Sequence, residues 1–173
     1  MKQLTGVELK RFLRDYKRQN SPDRDVAVLL QSVEYPYNVG SIFRLCDGAG
    51  VTELVLSGIT PRPPNPTIQK VGRGKSKNVN WRYEADPLQA AAKIKADGYQ
   101  LVALEVVEAA VPYHKYPFAP RTCLIIGNED HGLTKAMLAL CDAAVFIPMF
   151  GKGRSHNVHA ALAIVLYQAL LTI

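Results

Sequence analysis

An α/β domain built around a mostly parallel sheet is the fold this sequence predicts, on three observations. Short apolar runs that read as strands alternate with longer stretches whose apolar residues recur at helical spacing. Glycine, proline and capping residues mark the changes between them. The segments that follow the strands, 38–44, 127–132 and 149–157, are rich in glycine and polar residues, which suits the sheet edge where such folds bind ligands. A chain of 173 residues is long enough for one domain with a full-sized core.

Residues 4–18 read as a short helix, with Leu9, Phe12, Leu13 and Tyr16 near one face and basic residues beside it. Asn20, Ser21, Pro22 and Asp23 break it. Residues 26–33 read as a buried strand, because Ala27, Val28, Leu29 and Leu30 form one apolar run. A turn is expected over 34–38. A helix follows through Ile42, Phe43, Leu45, Cys46 and Ala49, ended by Gly48 and Gly50. Residues 54–56 form a second strand.

Residues 58–80 carry four prolines, then glycines and lysines, and read as a long loop. Such a length is uncommon in a compact domain unless the loop is functional or disordered. Gly72 and Gly74 are expected to give it flexibility. Asp86-Pro87 marks the next helix start, a cap followed by proline at the first position, and Gly98 closes that helix. Strands follow at 100–104, 123–126 and 145–147, with a helix over 134–140 between the last two. The final helix covers 157–171, with Val158, Ala161, Leu162, Val165, Leu166 and Ala169 on one stripe. The chain thus divides into a basic N-terminal helix, 1–22, and an α/β domain, 23–173.

Composition narrows the function classes. No apolar run approaches the roughly 20 residues of a membrane helix, and the charged N-terminus does not read as a signal peptide. Cys46, Cys123 and Cys141 are widely and irregularly spaced, with no CxxC pair. They suggest buried thiols in a cytoplasmic protein rather than a zinc site or a disulfide framework. Basic residues exceed acidic ones by six, the minimum footprint of a nucleic-acid binder. They cluster at Lys10, Arg11, Arg14, Lys17 and Arg18, and again at Lys70, Arg73, Lys75, Lys77 and Arg82. Gly74-Lys75-Ser76 resembles the end of a phosphate-binding loop, but Gln69 stands where that motif needs glycine. Two candidate dinucleotide fingerprints fail likewise, at Lys77 and at Glu53.

Three segments carry the chemistry. Asn38-Val39-Gly40-Ser41-Ile42-Phe43-Arg44 gives an N-x-G-x-x-x-R pattern after a strand. Ile126-Gly127-Asn128-Glu129-Asp130-His131-Gly132-Leu133 follows another. Ile147-Pro148-Met149 leads to Ser155-His156-Asn157-Val158 at the start of the last helix. In this order, the three segments resemble the SpoU (TrmH) family of RNA ribose 2'-O-methyltransferases, in the SPOUT class, over about residues 25 to 172. The resemblance implies an α/β-knot fold with a C-terminal trefoil knot, here over roughly 122–160. It also implies S-adenosylmethionine as cofactor, a homodimer, and an RNA substrate, tRNA or rRNA.

By that resemblance, Leu104, Gly127, Ile147, Met149, Ser155 and Val158 hold the cofactor, and Asn38, Arg44, Glu129 and Asn157 form the catalytic group. Each has a plainer reading. Gly127 can simply end a strand, the apolar residues can be core, and Ser155 or Asn157 can be a helix cap. Glu129 can orient Arg44 through a charge-assisted hydrogen bond. A guanidinium, always protonated in proteins, can hold a phosphate and favour a developing alkoxide. Arg14, Lys70, Arg73, Lys75 and Lys77 are expected to grip RNA phosphates. The third motif departs from the family's usual Ser-Leu-Asn-Val-Ser by carrying His156 and His159. Two histidines are too few for a metal site, so no metal is expected. The competing function is an RNA-binding protein of the same fold without methyl-transfer activity.

Overall fold

The computed structural model describes residues 1–171, so the last two positions of the expected 23–173 domain lie outside the described residues. Among the described residues, seven parallel-paired strands form one sheet. In chain order they are β1 (Asp25–Gln31), β2 (Glu53–Ser57), β3 (Trp81–Glu84), β4 (Gln100–Leu104), β5 (Val111–Pro112), β6 (Arg121–Ile126) and β7 (Ala143–Phe146). In space the order is β3-β2-β1-β6-β4-β7-β5. The helices are α1 (Gly6–Asn20), α2 (Pro36–Ala49), α3 (Pro66–Val71), α4 (Pro87–Ala96), α5 (Lys135–Leu140) and α6 (Val158–Leu171).

The central strands are buried on both faces, which is why their sequences run apolar without alternation. One face carries Val28, Leu30, Leu54, Leu124 and Ile126 against Ile42 and Phe43 of α2 and Leu162, Val165 and Leu166 of α6. The other carries Ala27, Leu29, Val55, Leu101 and Ile125 against Ala90, Ala91 and Ile94 of α4 and Met137 of α5. α2 and α6 share one layer, and this sets the first and third motifs side by side. Cys46 and Cys123 are buried and Cys141 is half-buried. Burial pushes the Cys46 thiol up to about 12, as expected of inert core cysteines.

Several element boundaries follow the expected chemistry. Asp86 caps α4 by accepting the N–H groups of Leu88 and Gln89, at 2.8 and 3.4 Å. Thr134 caps α5 through Met137 N–H at 3.2 Å, and Gly50 closes α2 in the left-handed region. Others differ. The expected turn over 34–38 is already helix from Pro36 onward, so Asn38 lies inside α2. Proline at the first helical position accounts for this, because its fixed φ suits a helix start.

The expected loop over 58–80 is ordered. Asn65 caps α3 by accepting from Thr67 and Ile68, and a single 3-10 turn covers Lys75–Lys77. Gly72 is buried rather than flexible. A Cβ there would meet the Ile68 carbonyl oxygen at 2.8 Å, and one on Gly40 would meet Val71 Cβ at 2.9 Å. The two glycines let α2 and α3 touch backbone to backbone. The expected N-terminal helix is present as α1, but none of its residues is buried, and Leu9, Phe12, Leu13 and Tyr16 are exposed.

Candidate active site

Two clefts flank the first turn of α6. Consecutive helical residues point about 100° apart, and here Val158 lines one cleft while its neighbour His159 lines the other.

The first cleft has a volume of about 550 Å³ and lies at the carboxyl ends of β4, β6 and β7. Leu104, Gly127, Ile147, Met149, Ser155 and Val158 all line it, so the six residues expected to hold a cofactor come together from four separate segments. Its walls mix apolar side chains with backbone polar groups, the usual make-up of a small-molecule site. Glu105, Glu129 and Asp130 also line it, against one arginine, Arg154. An excess of carboxylates suits a ligand carrying positive charge.

Gly127 has a structural reason besides ligand approach. A Cβ on it would collide with the backbone of Gly132 and Leu133, because the segment folds back on itself through the Asn128–Gly132 bridge. Asn128 holds this loop, accepting from Asp130 and His131 N–H and donating to the Ser32 carbonyl. Glu105, which sequence reasoning missed, accepts the Leu133 N–H at 3.0 Å. Gly132 sits against the same carboxylate at φ +64°. A lone acid after a strand end was the only sequence signal for it.

Asn38, Glu129 and Asn157 form one hydrogen-bonded chain. Asn38 Nδ2 donates to Glu129 Oε1 at 2.7 Å, and Asn157 Nδ2 donates to Asn38 Oδ1 at 3.0 Å. Glu129 also accepts the backbone N–H groups of Glu34 at 2.9 Å and Tyr35 at 3.2 Å. Asn157 Oδ1 accepts the His159 N–H at 3.0 Å, which caps α6. The chain therefore ties the starts of α2 and α6 to the loop after β6. Nearby, the Asp130 carboxylate raises the Tyr35 phenol above its ordinary range.

The expected hydrogen bond between Glu129 and Arg44 is absent, because the carboxylate is already engaged by Asn38 and the two backbone donors. Arg44 is three helical residues beyond Ser41 in α2, exposed, and without a hydrogen-bond or ion-pair partner among the described residues. It lines the second cleft, of about 670 Å³, with Tyr37, Lys70, Arg73, His159 and Tyr167. Among the described residues, no carboxylate lines that cleft.

The expected RNA contacts separate into groups. Lys70 and Arg73 are exposed and line the second cleft, and Lys77 is exposed but does not line it. Arg14 is exposed on α1 and leans on Asp15 at 3.1 Å. Lys75 is committed elsewhere: its Nζ lies 2.7 Å from Asp47, and that contact holds the Asp47 carboxyl below its ordinary value. His156 lines the first cleft and His159 the second, so they face different spaces. Among the described residues, no three His, Cys, Asp or Glu side chains are grouped to hold a metal ion. No helix there is long and apolar enough to cross a membrane.

The sequence pattern of the SpoU rRNA Methylase family fits residues 25–167. A tRNA (guanosine(18)-2'-O)-methyltransferase of Thermus thermophilus is 32% identical over 160 residues, 92% of this chain and 80% of the relative. That of Escherichia coli is 32% identical over 145 residues, 84% of this chain and 62% of the relative. The AdoMet-bound rRNA methyltransferase of Sinorhizobium meliloti superposes with a TM-score of 0.79 at 27% identity, covering 88% of this chain and 58% of that one. The SpoU methyltransferase AviRb of Streptomyces viridochromogenes, in complex with AdoMet, gives a TM-score of 0.77 at 28% identity, over 86% and 57% of the two chains. This chain thus spans most of the Thermus relative and under two thirds of the other three.

Proposed function

The chain belongs to the SpoU rRNA Methylase family, and from that premise we propose that it methylates a ribose 2'-hydroxyl in tRNA or rRNA, with S-adenosylmethionine as methyl donor. The observation that carries the reading is the convergence of Leu104, Gly127, Ile147, Met149, Ser155 and Val158 on one cleft, with the Asn38–Glu129–Asn157 chain along its border. The cleft fits the cofactor. Its apolar walls and backbone groups suit an adenosine, and Glu105, Glu129 and Asp130 suit a cationic sulfonium. Bound there, S-adenosylmethionine supplies an electrophilic methyl group.

The chain's own residues do the rest. Arg44, always charged, favours the negative charge that develops on the ribose oxygen. Lys70, Arg73 and Lys77 hold phosphates beside it, and Arg14 extends that hold along the N-terminal helix, residues 1–22. Exposure of those cations and the lack of any buried residue in α1 support an RNA-gripping arm distinct from the 23–173 domain.

Three finer features belong to the same proposal. The segment 122–160 forms a trefoil knot, supported by the family and by the tight backbone return at Gly127 and Gly132. The protein is a homodimer, supported by the exposed apolar residues Ile164 and Leu171 on α6; light scattering at micromolar concentration should give twice the chain mass. It works in the cytoplasm, where its RNA substrates and reduced thiols are found.

The test is methyl transfer. Purified protein, labelled S-adenosylmethionine and total RNA from cells lacking the gene should yield label on ribose 2'-oxygens at a defined nucleotide. Cofactor and RNA binding without any transfer would favour the RNA-binding reading instead.

A further inference from the structure

We infer that His159 is the proton acceptor for the ribose hydroxyl, a role that rests on the methyl-transfer reading above. A 2'-hydroxyl must lose its proton as its oxygen forms the new bond to carbon. The groups expected to manage this are otherwise engaged. Arg44 carries no lone pair for a proton while it is charged. Both oxygens of Glu129 already accept hydrogen bonds, from Asn38 and from the backbone at Glu34 and Tyr35. The amide of Asn157 is used at both ends, toward Asn38 and toward His159 N–H.

His159 occupies the place where a base is missing. It lines the same cleft as Arg44. The other ionisable groups there are Tyr37 and Arg44 from α2, Lys70 and Arg73 from α3 and the turn after it, and Tyr167 from α6 itself. None is a carboxylate, and imidazole is the one group among these types that exchanges a proton near neutral pH. The backbone of His159 is fixed by the Asn157 cap, and ring Nδ1 is buried with no hydrogen-bond partner in the structure. Nδ1 is thus closed off by the protein itself, and Nε2, which is not buried, is the ring nitrogen left to take the proton.

In balance, the ribose O–H bond breaks and its electron pair forms the O–C bond. The proton moves to the imidazole and later to water, and the electron pair of the broken S–C bond stays on sulfur. Arg44 offsets the charge on the oxygen while the proton leaves. On this account, Asn38, Glu129 and Asn157 are positioning residues. They set the start of α6, and with it the imidazole, against the second cleft.

Single-turnover methyl transfer at saturating RNA and cofactor tests this, as a function of pH. With wild-type protein the rate should rise with pH and level off. His159→Ala should lower the plateau about 10²-fold or more, the usual range for a lost general base, and remove the rising limb. Added imidazole should restore part of the rate. His159→Gln, which keeps a polar side chain, serves if the alanine variant folds poorly, and calorimetry should show unchanged cofactor affinity in whichever variant is used.

A readout independent of turnover is carbethoxylation of His159, followed by mass spectrometry. Total RNA from cells lacking the gene should block it, and S-adenosylmethionine alone should not. A His159 variant with a rate within about twofold of wild type and the same pH profile overturns the assignment, as does failure of RNA to protect the ring. If wild-type protein transfers no methyl group at all, the methyl-transfer reading fails instead.

Discussion

The two clefts are built by opposite means. The first is made of backbone. Its floor is the folded-back 127–132 segment, and its shape depends on Gly127, where a Cβ would meet the main chain, and on Gly132, where one would meet the Glu105 carboxylate. The second is made of long side chains on helix surfaces, with Arg44, Lys70 and Arg73 exposed and no carboxylate to neutralise them. A small cofactor is best bound by a rigid, preformed cavity, because little ordering cost remains on binding. A polyanion binds through loose cations whose counterions are released, and it can be shed again. The two clefts should therefore fail in different ways.

The sharpest break is expected from Gly127→Ala. The added methyl has no room against Gly132 and Leu133, so the 127–132 loop must open. Calorimetry should show cofactor binding weakened at least ~10²-fold, a cost of about 3 kcal/mol, whereas the salt dependence of RNA binding should persist. Near-normal cofactor affinity would mean that the first cleft is less dependent on backbone than its geometry implies.

Next in size is Arg44→Ala. Loss of one preorganised charge donor typically costs about 10²–10³ in rate, and the single-turnover rate should fall by that factor with cofactor affinity intact. Arg44→Lys keeps the charge without the planar fork and should recover little if two-point contact matters. Weakened cofactor binding in either variant would show that the clefts are not separable.

A smaller effect is expected from the double change Lys70→Ala with Arg73→Ala. The slope of log affinity against log salt should flatten by roughly 1–2, about one for each lost phosphate contact. An unchanged slope would move the RNA surface elsewhere.

The smallest effect belongs to Lys75→Ala. That ammonium is paired with Asp47 although partly exposed, so the salt slope should barely change, and the cost should appear as stability instead, about 0–1 kcal/mol for such a pair. The sign with pH follows from the lowered Asp47 value. A depressed carboxyl stabilises the fold above its unfolded pKa of about 3.9 and loses that contribution as pH falls through its folded value. Urea midpoints of wild type and variant should therefore differ at pH 7 and converge in acid.

These contrasts also explain what could be read in advance. That Leu104, Gly127, Ile147, Met149, Ser155 and Val158 share one cleft was legible only through the family resemblance, carried by motifs such as Ile126-Gly127 and Ile147-Pro148-Met149. α4 was legible because Asp86-Pro87 is a local signal that tertiary packing did not override. β3 and β5 were missed for the reverse reason. They are short, Trp81–Glu84 and Val111–Pro112, and only partly covered, and β3 is mixed in polarity. β3 is held by cross-strand partners such as Glu53, which accepts from Arg82 at 2.9 Å. α3 carried its Asn65-Pro66 start signal, but four prolines in six residues, 61–66, obscured it. The pairing of Glu129 with Asn38 rather than Arg44 was not legible at all. Asn38 and Arg44 are six residues apart on one helix, and only the packing of α2 against α6 decides which of them faces the carboxylate.

The adjacency of Val158 and His159 sets a rule for how this part of the chain can change length. Each side chain is assigned to its cleft by helical phase, and one inserted or deleted residue turns everything beyond it by about 100°. A single-residue change between Asn157 and the body of α6 would swing the imidazole out of its cleft and misalign the buried stripe from Leu162 to Ala169. The glycine-containing stretch 150–154, upstream of the Asn157 anchor and exposed throughout, is under no such constraint. Length variation among relatives should therefore collect before Asn157 and stop abruptly there.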